Sequence, residues 1–260
     1  MIPSPDIHDN TRSGERGNML FMILIAVVLI GILTAAIMST STTDGANIDK
    51  ETLVIRASEV QRTASEFERA VLFIVSNRKS EVDIRFAHPA FSHTDYGDLA
   101  DADTLEEQQV QVFHTNGGGA SFRKPPPDIQ TPAGGDWEFY GGTAIPGVGT
   151  DKADLVAVLP NVSQQFCNKI NELSGQPITL TPEDTGSTAA GVGTAGDCVN
   201  FGALGRFDAT QQFYTIPNTM DATTFAQDSN TSAARPALQA CVKCDIGPNA
   251  LHFYHVLLAR

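Results

Sequence analysis

The chain has 260 residues, with 17 lysines and arginines against 30 aspartates and glutamates, and its formal net charge is −13. Such an acidic chain lacks the basic footprint that a nucleic-acid backbone requires, so nucleic acid is excluded as a partner. The 42% content of hydrophobic residues, with 14 phenylalanines, also excludes a chain that is disordered throughout.

A long apolar stretch lies near the amino-terminal end. No charged residue occurs from Met19 to Met38, and only Gly31 and Thr34 interrupt the apolar run. As an α-helix the stretch would span about 30 Å, which matches the hydrocarbon core of a bilayer. We predict a transmembrane helix over residues 18–38 rather than a buried core helix, because a core helix rarely runs so long without a charged residue.

The residues on either side of this stretch predict its orientation. The basic residues before it are Arg12 and Arg16, whereas the first charged residues after it are Asp44 and Asp49. Positive charge tends to stay on the cytoplasmic side, which predicts a cytoplasmic amino terminus and an exported carboxy-terminal region. A cleaved secretory signal is disfavoured, because its apolar core is only about 7–15 residues long.

The start of the stretch resembles the prepilin signal of type IV pilins and type II secretion pseudopilins. Glu15-Arg16-Gly17 precedes the apolar run, and Gly31-Ile32-Leu33 stands where the family commonly has the same residues. The resemblance implies that a prepilin peptidase cleaves between Gly17 and Asn18, and that Asn18 is then methylated. It also implies that the apolar helix forms the core of a filament. The resemblance covers about the first quarter of the chain.

Two positions depart from the family pattern. The first mature residue is usually Phe or Met, and here it would be Asn18. The fifth is usually Glu, whose carboxylate pairs with the amine of a neighbouring subunit, and here that place holds Met22. We therefore expect a minor, tip or priming subunit rather than the bulk shaft subunit. A protein that is never assembled into a filament is the other interpretation.

Residues 39–80 are predicted to continue the helix as an amphipathic segment. Their apolar residues recur at spacings of three and four, which places them on one stripe. The stripe consists of Leu53, Ala57, Val60, Ala64, Phe67, Val71 and Ile74. We expect it to pack against a globular domain, with a parallel coiled coil as the alternative.

Short apolar pieces between turn residues predict a sheet in residues 81–260. Strands are predicted at 110–113, 137–140, 154–159 and 251–258. Asn161 would cap a second helix that stops at Gly175. With the family resemblance, the predicted fold class is α+β. A long N-terminal transmembrane and amphipathic helix would pack on an antiparallel β-sheet head with an extra helix and long loops.

The predicted organisation has four parts. A prepilin-type leader at 1–17 precedes the transmembrane helix at 18–38, the amphipathic helix at 39–80 and an exported globular domain at 81–260. Met22 and Gly31 would lie in the filament-core helix.

Four cysteines lie in the predicted exported domain: Cys167, Cys198, Cys241 and Cys244. Structural disulfides are the preferred interpretation, and the simplest of the three full pairings is Cys167–Cys198 with Cys241–Cys244. A redox motif at Cys241 and Cys244 is disfavoured, because the residues that follow do not begin a helix. A zinc site that adds His252 and His255 is disfavoured, because the two side chains would point to opposite faces of a strand.

Catalytic and metal-binding patterns are weak. His88, His93 and His114 occur in a loop-like region without a nucleophile motif. Aspartates crowd one loop at positions 95, 98, 101 and 103, but their spacing does not match an EF-hand calcium loop. We predict no enzymatic activity, no cofactor and no metal.

The predicted function is that of a structural subunit of a type IV pilus-like or type II secretion pseudopilus-like filament. Its partners would be a prepilin peptidase, other pilin or pseudopilin subunits and the inner membrane. It would be a single-pass inner-membrane protein with a periplasmic or extracellular domain. The alternative is an unprocessed, membrane-anchored protein whose exported domain binds a ligand or a surface, and an anchored hydrolase is a third possibility.

Overall fold

A computed structural model describes the chain at residues 15–91, 96–179, 181–184, 187–188, 198, 206–207, 213, 218–244 and 251–260. Within the first helix it describes the side chains of residues 21–30 and of those from residue 50 onwards. The predicted leader at 1–17 therefore lies outside the described residues, except for its last three positions.

The first helix, α1, spans Glu15–Ser76. The chain divides into two compact units, Met1–Thr52 and Leu53–Arg260, so this helix contributes to both. In the second unit the helix buries Ala57, Val60, Ala64, Phe67, Val71 and Ile74. These residues occupy one stripe of the helix, and Leu53 is partly buried beside them.

The prediction of a transmembrane helix was wrong. Within the part of the chain that the structure describes, no helix is long and apolar enough to cross a membrane. Of the predicted span at 18–38, the residues with described side chains are 21–30. That length is roughly half of the 20 residues that a bilayer requires.

Seven strands form the sheet in the described part of the second unit. They are β1 (Glu138–Ala144), β2 (Asp154–Leu159), β3 (Glu183–Asp184), β4 (Ser187–Thr188), β5 (Asn218–Thr219), β6 (Gln239–Cys244) and β7 (Leu251–Leu258). Their order across the sheet is β3-β6-β7-β2-β1-β5-β4.

The predicted antiparallel sheet was also wrong, because the sheet is mixed. β1 pairs with β5 in parallel, and so does β3 with β6. The longer strands β1, β2, β6 and β7 pair with one another antiparallel. The strand predicted at 110–113 is replaced by a single parallel bridge between Gln111 and Arg85, because α2 (Leu105–Gln109) ends directly before it.

The sheet curls until its two ends approach each other. β3 and β4 stand at opposite ends of the strand order, although only two positions separate them along the chain. The backbone N–H of Asp221, just beyond β5, donates to the carbonyl of Glu183 at 3.1 Å. The Asn218 side-chain amide also donates to the Asp184 carboxylate at 3.0 Å. β3 therefore contacts the β5 end of the same sheet.

Two apolar clusters occupy the two faces of the sheet. On the face toward α1, Phe67 makes edge-to-face contacts with Phe113, Trp137 and Phe139 at centroid distances of 5.4–5.7 Å. The other cluster contains Tyr140, Val156, Val158, Tyr254 and Val256. Because side chains alternate along a strand, neighbours such as Phe253 and Tyr254 serve different clusters.

The helix α3 (Gln164–Ser174) packs on β6 and β7. Its N-cap is Ser163, whose hydroxyl accepts from the backbone N–H of Phe166 at 3.3 Å. The predicted cap, Asn161, instead takes a positive φ of 54° and donates its amide to Gly134. The helix ends at Gly175, which has a φ of 68°, a backbone angle that glycine adopts without a steric penalty.

Candidate functional site

An exposed apolar segment of α1, residues 21–30, is the first candidate site. Its large side chains are all between 38% and 65% exposed, and they are Phe21, Met22, Ile23, Leu24, Ile25, Val27, Val28, Leu29 and Ile30. Successive positions on a helix are about 100° apart, so these side chains cover every side of it. A helix that is apolar all round is normally buried in a larger apolar environment.

The residues predicted for processing and filament packing lie in or beside this segment. Met22 is 65% exposed and belongs to it. Gly17, Asn18 and Gly31 lie in α1, but their surroundings fall outside the described residues. The structure thus shows helical backbone through the predicted cleavage position, and it describes the surroundings of Met22 alone.

Two disulfides hold the second unit, and their pairing differs from the predicted one. Cys167 pairs with Cys241, and Cys198 pairs with Cys244. Cys241 and Cys244 lie three positions apart on β6, so their side chains point to opposite faces and their Cα atoms are separated by about 10 Å. A disulfide needs Cα atoms within about 7 Å, which excludes the simpler pairing.

The disulfides indicate an oxidising, exported environment, because cytosolic proteins rarely keep such bonds. The buried Asn171 on α3 strengthens the attachment of this helix to β6. Its side-chain oxygen accepts from the Cys241 N–H at 2.8 Å, and its amide donates to the Cys241 carbonyl at 3.0 Å.

The two histidines of β7 face opposite sides of the sheet. His255 lies 2.8 Å from the Glu68 carboxylate of α1, and burial lowers its pKa although Glu68 opposes the shift. His252 is fully buried on the other face, where burial lowers its pKa to about 4 against the attraction of Glu138. Among the described residues, no group of three or more His, Cys, Asp or Glu side chains could hold a metal ion.

A buried carboxylate, Glu138, was missed by the sequence reasoning. It accepts from the Tyr140 hydroxyl at 2.7 Å and from the Arg206 guanidinium at 3.0 Å. Burial, with the Glu138 charge as a further cause, raises the pKa of Tyr140. Glu138 sits in a predicted strand, and the contact with the distant Arg206 compensates its buried charge.

The other residues considered from the sequence have local structural roles. His88 packs among the rings of Phe91, Phe113 and Phe122, and burial lowers its pKa. His114 accepts from the Asn116 N–H, and Asp98 accepts from the Ala100 N–H. His93 and Asp95 lie outside the described residues, whereas Asp101 and Asp103 are exposed.

Comparisons with known proteins identify no relative of the chain. No family model matches the chain, and neither a curated protein nor a solved structure is significantly similar to it. Any functional conclusion therefore rests on the chain's own residues.

Proposed function

We propose that the chain is a structural subunit of a type IV pilus-like or type II secretion pseudopilus-like filament, in a minor or priming position. The observation that supports this is the exposed apolar segment at residues 21–30. Its side chains gain about 25 cal/mol for each Å² of apolar surface removed from water. Packing against equivalent helices of neighbouring subunits would supply that burial, since the segment exposes apolar surface on every side.

The residues directly before the segment support the same proposal. Arg16 and Gly17 stand where a prepilin peptidase would cut, and Asn18 would become the amino terminus. The released amine would then lie at the start of the apolar helix, where subunits meet.

The second unit suits a structural role. Its disulfides fix α3 and the chain around Cys198 to β6, and its buried carboxylate Glu138 is neutralised by Arg206. A rigid exported head can present surfaces to partners without catalytic machinery. We infer no enzymatic activity and no cofactor.

Met22 supports a minor position in the filament. A carboxylate at this place would pair with the amine of a neighbouring subunit, whereas the thioether of Met22 carries no charge. The subunit would therefore join the filament through apolar contacts alone at this level. Such a subunit suits initiation, or a small number of places along the filament.

The proposed location and partners follow from this role. The second unit is periplasmic or extracellular. The partners are a prepilin peptidase and other pilin or pseudopilin subunits, which the protein meets at the inner membrane.

Mass spectrometry of the native amino terminus tests the proposal. We expect a chain that begins at N-methylated Asn18. Gly17→Asp should abolish this processing, whereas Gly14→Asp, a matched change three residues earlier, should leave it intact. An unprocessed native chain, or normal processing of Gly17→Asp, would refute the proposal.

Restoring the carboxylate tests the minor position. Met22→Glu should raise the number of copies incorporated per filament, measured by quantitative immunoblotting of sheared filaments. Met22→Gln, which has nearly the same shape but no charge, is the matched control and should leave the number unchanged. Equal incorporation of both variants and the parent chain would contradict the minor position.

A further inference from the structure

An acidic cavity of about 430 Å³ lies in the second unit, just after the end of α1. Ala87, Tyr96 and Gln111 are buried residues of its lining, and Asp83, Asp101 and Glu106 are exposed ones. In all, five carboxylates and two cationic side chains line it. The cavity therefore favours a positively charged occupant.

Hydrogen bonds hold the walls of this acidic cavity in place. Arg85 and Val110 are joined through their backbones at 2.9 Å, and Val112 donates to the Arg85 carbonyl at 2.9 Å. The start of α2 is fixed by a capping box in which Thr104 and Glu107 bond each other's backbone N–H groups. Because its walls are already ordered, the cavity loses little conformational entropy when it is occupied.

Several polar groups of the cavity are left for an occupant. Gln111 is only 8% exposed, and its side-chain oxygen accepts from the Ala87 N–H at 3.3 Å. Its amide nitrogen has no hydrogen-bond partner within the described part of the chain. Because Gln111 lines the cavity, this donor is available to an occupant. Asp83, Asp101 and Glu106 likewise form no ion pair with the residues that the structure describes.

A basic segment elsewhere on the same unit has the complementary chemistry. Arg123 and Lys124 are exposed, and neither forms an ion pair within the described ranges. Pro125 and Pro126 follow them and restrict the backbone before the 3-10 helix Pro127–Ile129. The backbone beside these two cations therefore has little freedom to lose on binding.

The basic segment and the acidic cavity lie at different levels along α1. Arg123 and Lys124 line a crevice with Glu59 and Thr63 of α1, whereas the cavity begins beyond the helix end at Ser76. The helix rises 1.5 Å per residue, so the two levels are about 20 Å apart. The backbone of Ser121 is also tied to the Glu66 carboxylate at 2.8 Å, so the segment stays away from its own cavity.

We propose that the acidic cavity receives the Arg123–Lys124 basic segment of a second copy of this chain. The cavity carboxylates bind the cationic side chains, and the Gln111 amide donates to a backbone carbonyl of the incoming segment. The two surfaces differ and lie at different levels, so the contact is heterologous and repeats in one direction. Such a contact joins copies head to tail, in a closed ring or in an open row.

This inference rests on the proposed function in one respect: a filament places copies of the chain next to one another. It selects, among the minor positions, one in which at least two copies are adjacent, and it excludes a tip subunit that is present once. It also supplies a charged contact between heads in a chain whose net charge is −13, where unspecific association is repelled.

Cysteine cross-linking of the full-length protein tests the contact. The chain's own cysteines are all paired in disulfides, so an introduced cysteine is the free thiol. A mixture of Glu106→Cys and Lys124→Cys proteins should form a mixed disulfide dimer. Either variant alone should give at least five times less dimer. Asp151→Cys, an exposed site outside both surfaces, is the control partner and should give only background.

Charge reversal at exposed positions gives a second test of the contact, because substitutions at such positions should not disturb folding. One protein carries Asp101→Cys and the other carries Arg123→Cys. Adding Glu106→Lys to the Asp101→Cys protein should lower the yield of the mixed disulfide at least threefold. Adding Lys124→Glu to the other protein should restore it. An absent mixed dimer, a yield equal to the Asp151→Cys control, or no rescue by the second reversal would overturn the inference.

The two proposals fail separately. Cross-linking with an unprocessed amino terminus would leave the contact between copies standing and refute the filament function. Processing at Gly17 without cross-linking would do the reverse.

Discussion

Two stretches of α1 differ in the burial of their apolar side chains. In residues 21–30 of α1 every large apolar side chain is at least 38% exposed. In residues 53–76, by contrast, Phe67, Val71 and Ile74 are buried, whereas Ile55 and Phe73 on the outer side remain exposed. The difference lies in the pattern rather than in the amount of apolar sequence. A stripe at spacings of three and four can be covered by one sheet, whereas a helix that is apolar all round needs partners on every side.

The apolar stripe in residues 53–76 is buried by other residues of the same chain. The stripe finds its partners in its own sheet, because Trp137 and Phe139 pack against Phe67. The earlier stretch exposes its apolar side chains, and under the proposed function neighbouring subunits would bury them. Four predictions challenge this contrast, from the largest expected effect on stability to the smallest.

The first test replaces one phenylalanine by alanine on the buried side of α1 and another on its exposed side. Phe67→Ala should lower the free energy of unfolding by about 3–5 kcal/mol, because it removes a fully buried ring. Phe73→Ala, six positions later and 53% exposed, is the matched control and should change it by less than about 0.5 kcal/mol. Urea unfolding followed by tryptophan fluorescence measures both. Equal losses would contradict the one-sided burial.

Loss of a disulfide tests how much this bond stabilises the second unit. Replacing Cys167 and Cys241 together by Ala should lower the free energy of unfolding by about 2–4 kcal/mol, because the bond restrains the unfolded chain. Peptide mapping without reduction checks the pairing first. A fragment that links Cys167 to Cys198 would show that the pairing of Cys167 with Cys241 is incorrect.

The buried histidine of β7 makes the second unit sensitive to acid. Burial lowers the pKa of His252 to about 4, so the folded state stays neutral there while the unfolded state binds a proton below about pH 6.5. Stability is thus fully present above pH 6.5 and is lost as the pH falls toward 4. Between pH 7.5 and 5 the loss is about 2 kcal/mol, and the lowered pKa of His255 acts in the same direction.

Urea unfolding at the two pH values measures this effect. His252→Gln should give a flatter pH profile, whereas the control His114→Gln, at a turn, should keep the profile of the parent chain. A slope that His252→Gln leaves unchanged would show that another group titrates.

The smallest stability effect belongs to the exposed apolar segment. Leu24→Ala should change the free energy of unfolding of the second unit by less than about 0.5 kcal/mol, because Leu24 is 56% exposed. The same change should weaken filament assembly, measured by sedimentation of sheared filaments. A large loss of stability with normal assembly would reverse the contrast between the two stretches.

Sequence patterns predicted the periodic features of this fold but not the features that depend on contacts between distant segments. The stripe from Leu53 to Ile74 and the strand at 154–159 follow from local patterns of apolar residues. The ends of the sheet do not, because β3, β4 and β5 have only two residues each and show no periodicity. The parallel pairings of β3 with β6 and of β5 with β1 are set by where the longer strands lie, and β4 pairs antiparallel with β5.

The candidate sites divide in the same way. The apolar segment is evident from composition, and the aspartates around the acidic cavity are evident as a cluster. Arg85 and Gln111 become part of that cavity through a bridge between distant segments, which no local pattern encodes. The disulfides were misassigned for the same reason, since Cys241 and Cys244 are close in sequence but point to opposite faces of β6.

The position of β7 has a consequence for how the head reaches its native state. β7 lies between β6 and β2, so the last strand along the chain occupies the interior of the sheet. The β1–β2 hairpin can form early, but the cysteine partners in β6 and the strand β7 arrive only after about 80 further residues. A partly translocated chain therefore exposes the apolar edge of β2 and unpaired thiols at Cys167 and Cys198. Export of this protein thus creates an interval in which the chaperones and disulfide catalysts of an oxidising compartment can act, before the carboxy-terminal hairpin completes the sheet.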